Sequence, residues 1–192
     1  MEKTLHVIGM AGSLRKASYN RMLLRAAGEL MPPGSDLEIL EIGHLPFYNQ
    51  DVEDEAPPEV DEFRRKVAGA DALLFAVTEY NYSMSAVLKN AIDWASRPMA
   101  TSALKGKPAA VMGASGGAFG SVRAQLHFRQ TAVFCDMHLV NKPEIMVREP
   151  GKKFDAQGSL TDEDTREIVR ELMASLVDWT KVLERGRERV NA

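Results

Sequence analysis

The chain has 192 residues, 45% of them hydrophobic and 27% charged; this is the balance of a soluble globular protein and sets aside collagen-like, disordered and membrane-embedded classes. Lys and Arg number 24 against 27 Asp and Glu, a formal net charge of -3, which leaves no basic footprint for nucleic acid or an anionic membrane. One cysteine, Cys135, cannot close an intramolecular disulfide, and MEKTLHVIGM lacks the basic start and apolar length of a signal peptide; the expectations are a cytoplasmic setting and one domain over 1–192.

Leu5 to Met10 reads as a buried strand and Tyr19 to Leu30 as a helix, ended by Met31, Pro32, Pro33 and Gly34. LEILEIG (37–43) is a second strand candidate, and PEVDEFRRKVAGA (58–70) a polar helix. ALLFAV (72–77) is an apolar run of strand length, followed by the turn TEYNYS and the helical pattern SAVLKNAIDWASR. In that helix Met84, Val87, Leu88, Ala91, Ile92 and Ala95 share one face, with Lys89, Asn90 and Asp93 opposite. KPAAVMG (107–113) is a fourth strand, GASGGAFG a glycine-rich turn, SVRAQLHFRQTAVF a helix and PEIMV (143–147) a fifth strand. Thr161 opens TDED, a capping-box signature, before a helix to about Arg185 with Ile168, Leu172, Leu176 and Val182 on or near its buried side.

Five unalternating apolar strands separated by helices predict an α/β fold with a parallel sheet covered on both faces. Right-handed crossovers make it doubly wound. Ligands in such sheets bind beyond the carboxyl ends of the strands, so SLRKASYN, TEYNYS and GASGGAFG should share one rim.

SLRKASYN offers hydroxyls at Ser13 and Ser18, the Arg15 guanidinium and the Asn20 amide, at a helix start whose first N–H groups are unpaired. Ser18 is either an ordinary N-cap or part of a site for a monophosphate. Neither a Walker A loop nor a GxGxxG fingerprint is present. TEYNYS suits a planar heteroaromatic ligand, or is a turn whose Tyr rings pack on the protein, with Glu79 solvated. The glycines of GASGGAFG permit close backbone approach, or a flexible connection. GASGG also fits the G-x-S-x-G elbow of serine hydrolases, but only His127 and His138 follow Ser115, and Asp136 is two residues before His138. The four histidines are scattered without metal-ligand spacing. Cys135 reads as a small buried hydrophobe, and Trp94 as core or a subunit contact.

GSLRKASYN, TEYNYSMSAVLKNAIDWASR and GASGGAFGSVRAQLHFRQ together resemble the NADPH-dependent FMN reductase family, whose patterns are GSxRxxSxN, PEYNxSxPGxLKNAIDWxSR and GxSxGGxGxxRAQxxLRQ. The resemblance spans residues 5 to about 147. It implies a flavodoxin-like three-layer sandwich with a five-stranded parallel sheet in the order 2-1-3-4-5, bound FMN, and NAD(P)H as co-substrate. It further implies two-electron reduction of a small-molecule acceptor such as a quinone, an azo compound, chromate or free flavin. Carried onto this sequence, Ser13, Arg15, Ser18 and Asn20 hold the FMN phosphate; Glu79, Tyr80, Asn81 and Tyr82 border the isoalloxazine on one side, and Ser115, Gly116 and Gly117 on the other. The chemistry belongs to the flavin, so no catalytic side chain and no metal are expected. Homodimers or homotetramers through the helices after strands three and four are implied, with Trp94 and Phe128 suited to that contact. The chain departs from the pattern at Thr78, where the family has proline, and at Ser85-Ala86, where it has Pro-Gly; an FMN-binding sensor or electron carrier working through a partner protein is the alternative this leaves open.

Overall fold

In the computed structural model, residues 4–191 are described. Strand β1 (Leu5–Ala11) leads through the first turn to helix α1 (Tyr19–Glu29). Strand β2 (Ser35–Leu40) follows, then helix α2 (Pro58–Gly69) and β3 (Ala72–Ala76). The next turn is itself a two-stranded hairpin, β4 (Glu79–Tyr80) and β5 (Ser83–Met84), before α3 (Ala86–Ala95). β6 (Pro108–Ser115) runs into the glycine-rich turn and α4 (Val122–Phe134). Two short strands, β7 (His138–Leu139) and β8 (Ile145–Arg148), precede α5 (Glu163–Asn191).

The main sheet is parallel throughout, in the order β2-β1-β3-β6, and both β7 and β8 pair with β6. β7 lies beside Pro108 and Ala109, and β8 beside Met112 to Ser115. The two pieces together fill the fifth position of the expected 2-1-3-4-5 order. The break between them contains Pro143, which has no N–H to give a ladder.

Side-chain alternation along each strand feeds two cores. Ile8, Met10, Leu73, Phe75 and Val111 meet α2, α3 and α4 on one face. Val7, Ala11, Leu74, Ala76 and Met112 meet α1 and α5 on the other. Both faces being covered explains why the strands are apolar without interruption. Full burial of each large aliphatic side chain stabilises the layers by about 1.5–3 kcal/mol.

Four readings of individual residues are corrected. Asn90 is on the buried side of α3: its amide oxygen accepts the Tyr48 N–H at 2.7 Å and its amide nitrogen donates to the Pro46 carbonyl at 2.8 Å, tying down the loop before α2. The α5 cap is Asp162, whose carboxylate accepts the Thr165 N–H at 3.0 Å; Thr161 instead donates its hydroxyl to the Lys153 carbonyl. Val182 is 51% exposed, on an open cleft shared with Leu139 of β7 and Trp179. For Trp94 the core alternative holds, and the subunit contact suggested for Trp94 and Phe128 is corrected: both are fully buried, Trp94 donating its indole N–H to the Pro46 carbonyl at 2.8 Å and Phe128 lying 4.5 Å from Phe75, so neither offers surface to a second subunit.

Candidate active site

The three unusual turns leave β1, β3 and β6, which are adjacent in the sheet, and their parallel direction brings the turns to one rim. In the first turn Ser13 and Ser18 are buried while Leu14 to Ala17 are exposed. The Ser13 hydroxyl accepts the Arg15 N–H at 3.4 Å, and the Ser18 hydroxyl accepts the Arg21 N–H at 3.4 Å as the α1 N-cap. Among the described residues the backbone N–H groups of Ser13, Leu14, Lys16, Ala17, Ser18, Tyr19 and Asn20 find no acceptor. Donors gathered at a helix start attract an anion. Arg15 donates only to the neighbouring Ala17 carbonyl at 3.2 Å and its side chain stands in solvent, free to close on such a ligand.

Asn20 serves the frame of this rim. Its amide oxygen accepts the Ala114 N–H at 2.9 Å and its amide nitrogen donates to the Ala114 carbonyl at 3.0 Å, inside a buried contact. The amide pins the first helix to the end of β6 and fixes the distance between two of the turns.

In the second turn Asn81 and Tyr82 have φ of 50° and 68°. Two consecutive positive angles make the tight two-residue hairpin connection that fits strand twist. Tyrosine there is strained by roughly 1–2 kcal/mol, and such strain concentrates at functional sites. The hairpin lifts Tyr80 and Tyr82, 51% and 68% exposed, off the body of the protein. Glu79 does something else. Its side chain is 8% exposed, and its carboxylate ion-pairs with Arg123 at 2.5 Å and accepts the N–H groups of Arg123 and Ala124 at 3.1 and 3.3 Å. Ser121, the residue at the head of α4, has φ 72° and caps nothing with its side chain; the carboxylate of Glu79 supplies the cap from another turn, at the helix end that favours negative charge. Glu79 is thus a clasp between the second and third turns and not a solvated residue.

Arg123 completes the clasp. Its guanidinium lies 3.8 Å from the Tyr82 ring centre and 4.9 Å from that of Phe119, which holds one aromatic of each turn against a shared cation. Nothing in the local sequence marks Arg123 for this role: Phe119 lies in the turn before α4, and Glu79 and Tyr82 come from a distant segment.

The third turn exposes Gly116, Gly117, Ala118 and Phe119. Ser115 accepts the Gly117 N–H at 3.1 Å, and the N–H groups of Gly116, Ala118 and Phe119 find no backbone acceptor among the described residues. Gly120, φ 55°, lets this turn lie on β8, since a Cβ there would stand 2.6 Å from the Met146 carbonyl group. A cleft of about 1030 Å³ opens on its outer flank, lined by Gly116, Phe119, Met146 and Lys153 among others. No histidine meets Ser115 among the described residues, and His127 is engaged with the Ser83 hydroxyl at 2.9 Å, so the serine-hydrolase arrangement is not assembled. Among the described residues no group of three or more His, Cys, Asp and Glu is placed to hold a metal ion.

Residues 5–151 match the family model described as NADPH-dependent FMN reductase. The chain belongs to the NADPH-dependent FMN reductase family. It is 50% identical over 184 residues to an NAD(P)H-dependent FMN reductase of Pseudomonas aeruginosa, covering 95% of this chain and 99% of that one. It is 46% identical over 187 residues to an NADPH:quinone oxidoreductase of Arabidopsis thaliana, covering 94% of each. Among solved structures, the flavoenzyme NAD(P)H:(acceptor) oxidoreductase FerB of Paracoccus denitrificans superposes with a TM-score of 0.85 at 36% identity, over 92% of this chain and 97% of that one. In this member of the family the rim offers a nest of unpaired N–H donors at one end, and two exposed tyrosines facing a glycine turn at the other. That arrangement can take a ligand with an anionic end and a planar end.

Proposed function

We propose that this chain is an FMN-dependent NAD(P)H oxidoreductase that reduces quinones or similar small acceptors in two-electron, ping-pong turnover. The observation that carries the reading is the nest of seven unpaired N–H groups at the α1 turn, one rim away from the tyrosine hairpin in a chain of this family. The residues fit FMN: a phosphate can take the free donors and Arg15, and the rim beyond has room because Gly116 has nothing within 4 Å of where a Cβ would stand. When bound, FMN supplies the redox chemistry, accepting a hydride from NAD(P)H and passing two electrons to the acceptor.

The chain's own part is binding and orientation. Ser13 and Ser18 shape the nest and keep their hydroxyl hydrogens for the phosphate. Tyr80, Asn81 and Tyr82 border the ring on one side, and Ser115, Gly116 and Gly117 on the other, with the unpaired N–H groups of the third turn available to negative charge on the ring. Glu79 acts through Arg123 by holding the two sides at their separation. The same reading puts the protein in the cytoplasm as one domain. No described helix is long and apolar enough to cross a membrane. The reading also includes a homodimer or homotetramer, through exposed α4 residues such as Leu126 and Val133 in place of Trp94 and Phe128.

The test is a visible spectrum of the purified protein before and after anaerobic NADPH. Flavin absorbance that NADPH bleaches and a quinone restores is expected; protein that is colourless and takes up no added FMN would refute it. Bleaching by NADPH without turnover on any small acceptor would favour the sensor or carrier. Arg15→Ala should weaken FMN by about tenfold, the value of one exposed charge-assisted bond, without lowering the apoprotein's stability.

A further inference from the structure

Thr78 lies two residues beyond the end of β3, just before the tyrosine hairpin, and it is one of the positions at which this chain departs from the family pattern, which has proline there. It is 7% exposed, yet its hydroxyl has no hydrogen-bond partner among the described residues. Its backbone N–H also finds no backbone acceptor among the described residues, while its carbonyl accepts the Ser85 N–H at 3.2 Å. The nearby Ser85 Oγ accepts the Leu88 N–H as the α3 cap and makes no hydrogen bond with the Thr78 hydroxyl. A buried hydroxyl left without a partner is costly and rare in native proteins, and such groups call for a ligand or a water.

Position narrows the ligand. Gly12, one residue before the phosphate-side Ser13, is so close that a Cβ on it would stand 3.2 Å from the Thr78 nitrogen and 2.7 Å from the Ser85 hydroxyl. On the other side the next residue, Glu79, begins the hairpin that carries Tyr80 and Tyr82. Thr78 therefore lies midway between the elements assigned to the phosphate and to the ring. In FMN the part between phosphate and ring is the ribityl chain, a run of hydroxyls able to donate and to accept.

We propose that the Thr78 hydroxyl, lying between the phosphate nest and the tyrosine hairpin, is a hydrogen-bonding contact for the ribityl chain of the flavin. The proposal rests on the flavin reading above. No such contact is open to proline, the residue of the family pattern at this position.

The experiment titrates apoprotein with FMN, riboflavin and lumiflavin, following the quenching of flavin fluorescence, for wild type, Thr78→Val and Thr78→Ser. Thr78→Val should weaken FMN and riboflavin by the same factor, about fivefold for one net hydrogen bond, and leave lumiflavin, which has no ribityl chain, unchanged. Thr78→Ser should restore the wild-type values. The melting temperature of the Thr78→Val apoprotein should not fall, because removing an unpartnered hydroxyl breaks no bond. Undiminished FMN binding by Thr78→Val, as expected if only a water serves the hydroxyl, would overturn the contact while leaving the flavin reading intact. An equal loss for lumiflavin would overturn it in favour of a ring contact. Wild-type protein that binds none of the three would remove the flavin reading and this contact with it.

Discussion

The clasp between Glu79 and Arg123 predicts a specific stability pattern. Glu79→Ala removes an ion pair whose acidic partner is 8% exposed and whose basic partner is 31% exposed, together with two hydrogen bonds to the α4 N-terminus. The loss of a cap costs about 1 kcal/mol, and a bond to a charged group is worth about 1.5–3 kcal/mol when shielded from water. The Arg123 end is open enough to solvent for part of that to be screened, so about 2–4 kcal/mol is expected for Glu79→Ala. Glu79→Gln keeps an oxygen for the α4 N–H groups and should cost about half as much. Urea unfolding of the apoprotein, with Arg123→Ala and the double variant completing a cycle, separates the two contributions. In the Arg123→Ala background, Glu79→Ala should still cost about 1 kcal/mol, the part owed to the cap. A Glu79→Ala cost below about 0.5 kcal/mol, the scatter of an ordinary surface substitution, would refute the clasp and return Glu79 to the solvent.

Three further outcomes follow from other contacts. Asn20→Leu strands the Ala114 N–H and carbonyl together in a buried place; about 2–4 kcal/mol of stability should go, with FMN affinity falling because the first and third turns lose their spacing. Asp162 has its carboxyl pulled from 3.8 down to about 2, first by the hydrogen bond from Lys153 and then by that from Thr165. A carboxyl lowered by folding gives stability that is whole above its unfolded pKa and drains away as pH falls toward about 2; Lys153→Met should raise the Asp162 pKa seen by NMR and move the acid-unfolding limb to higher pH. Burial, the leading cause, and the Asp93 charge push the Cys135 thiol upward, so the native protein should resist iodoacetamide near neutral pH and react once unfolded.

The layers were legible because burial on both faces leaves a simple mark. Leu73, Leu74, Phe75 and Ala76 are apolar in succession, and such a run admits little besides an interior parallel strand once helices flank it. The meeting of three turns on one rim followed from topology alone. What escaped the sequence were the polar contacts that cross the fold. Asn90 has the spacing of a solvent-side residue on α3, and only the path of the chain at Leu45 to Tyr48 gives its amide something to hold. Asn20 and Glu79 have the composition of ligand residues, and side-chain type cannot distinguish an amide that meets a phosphate from one that meets Ala114 94 positions away.

The hairpin shows the same division more sharply. TEYNYS contains turn-forming Asn81, but the structure also puts Tyr82 at φ 68°, a conformation tyrosine disfavours. Local preference thus argues against the observed turn, and something non-local must hold it. The stacking of Tyr82 on Arg123 at 3.8 Å, with Arg123 itself fixed by Glu79, is that restraint: the residue before the strained turn recruits the cation that stabilises it. Backbone strain, half-buried ion pair and exposed aromatic are therefore one device, and the rim between the second and third turns keeps its width only while all three are in place.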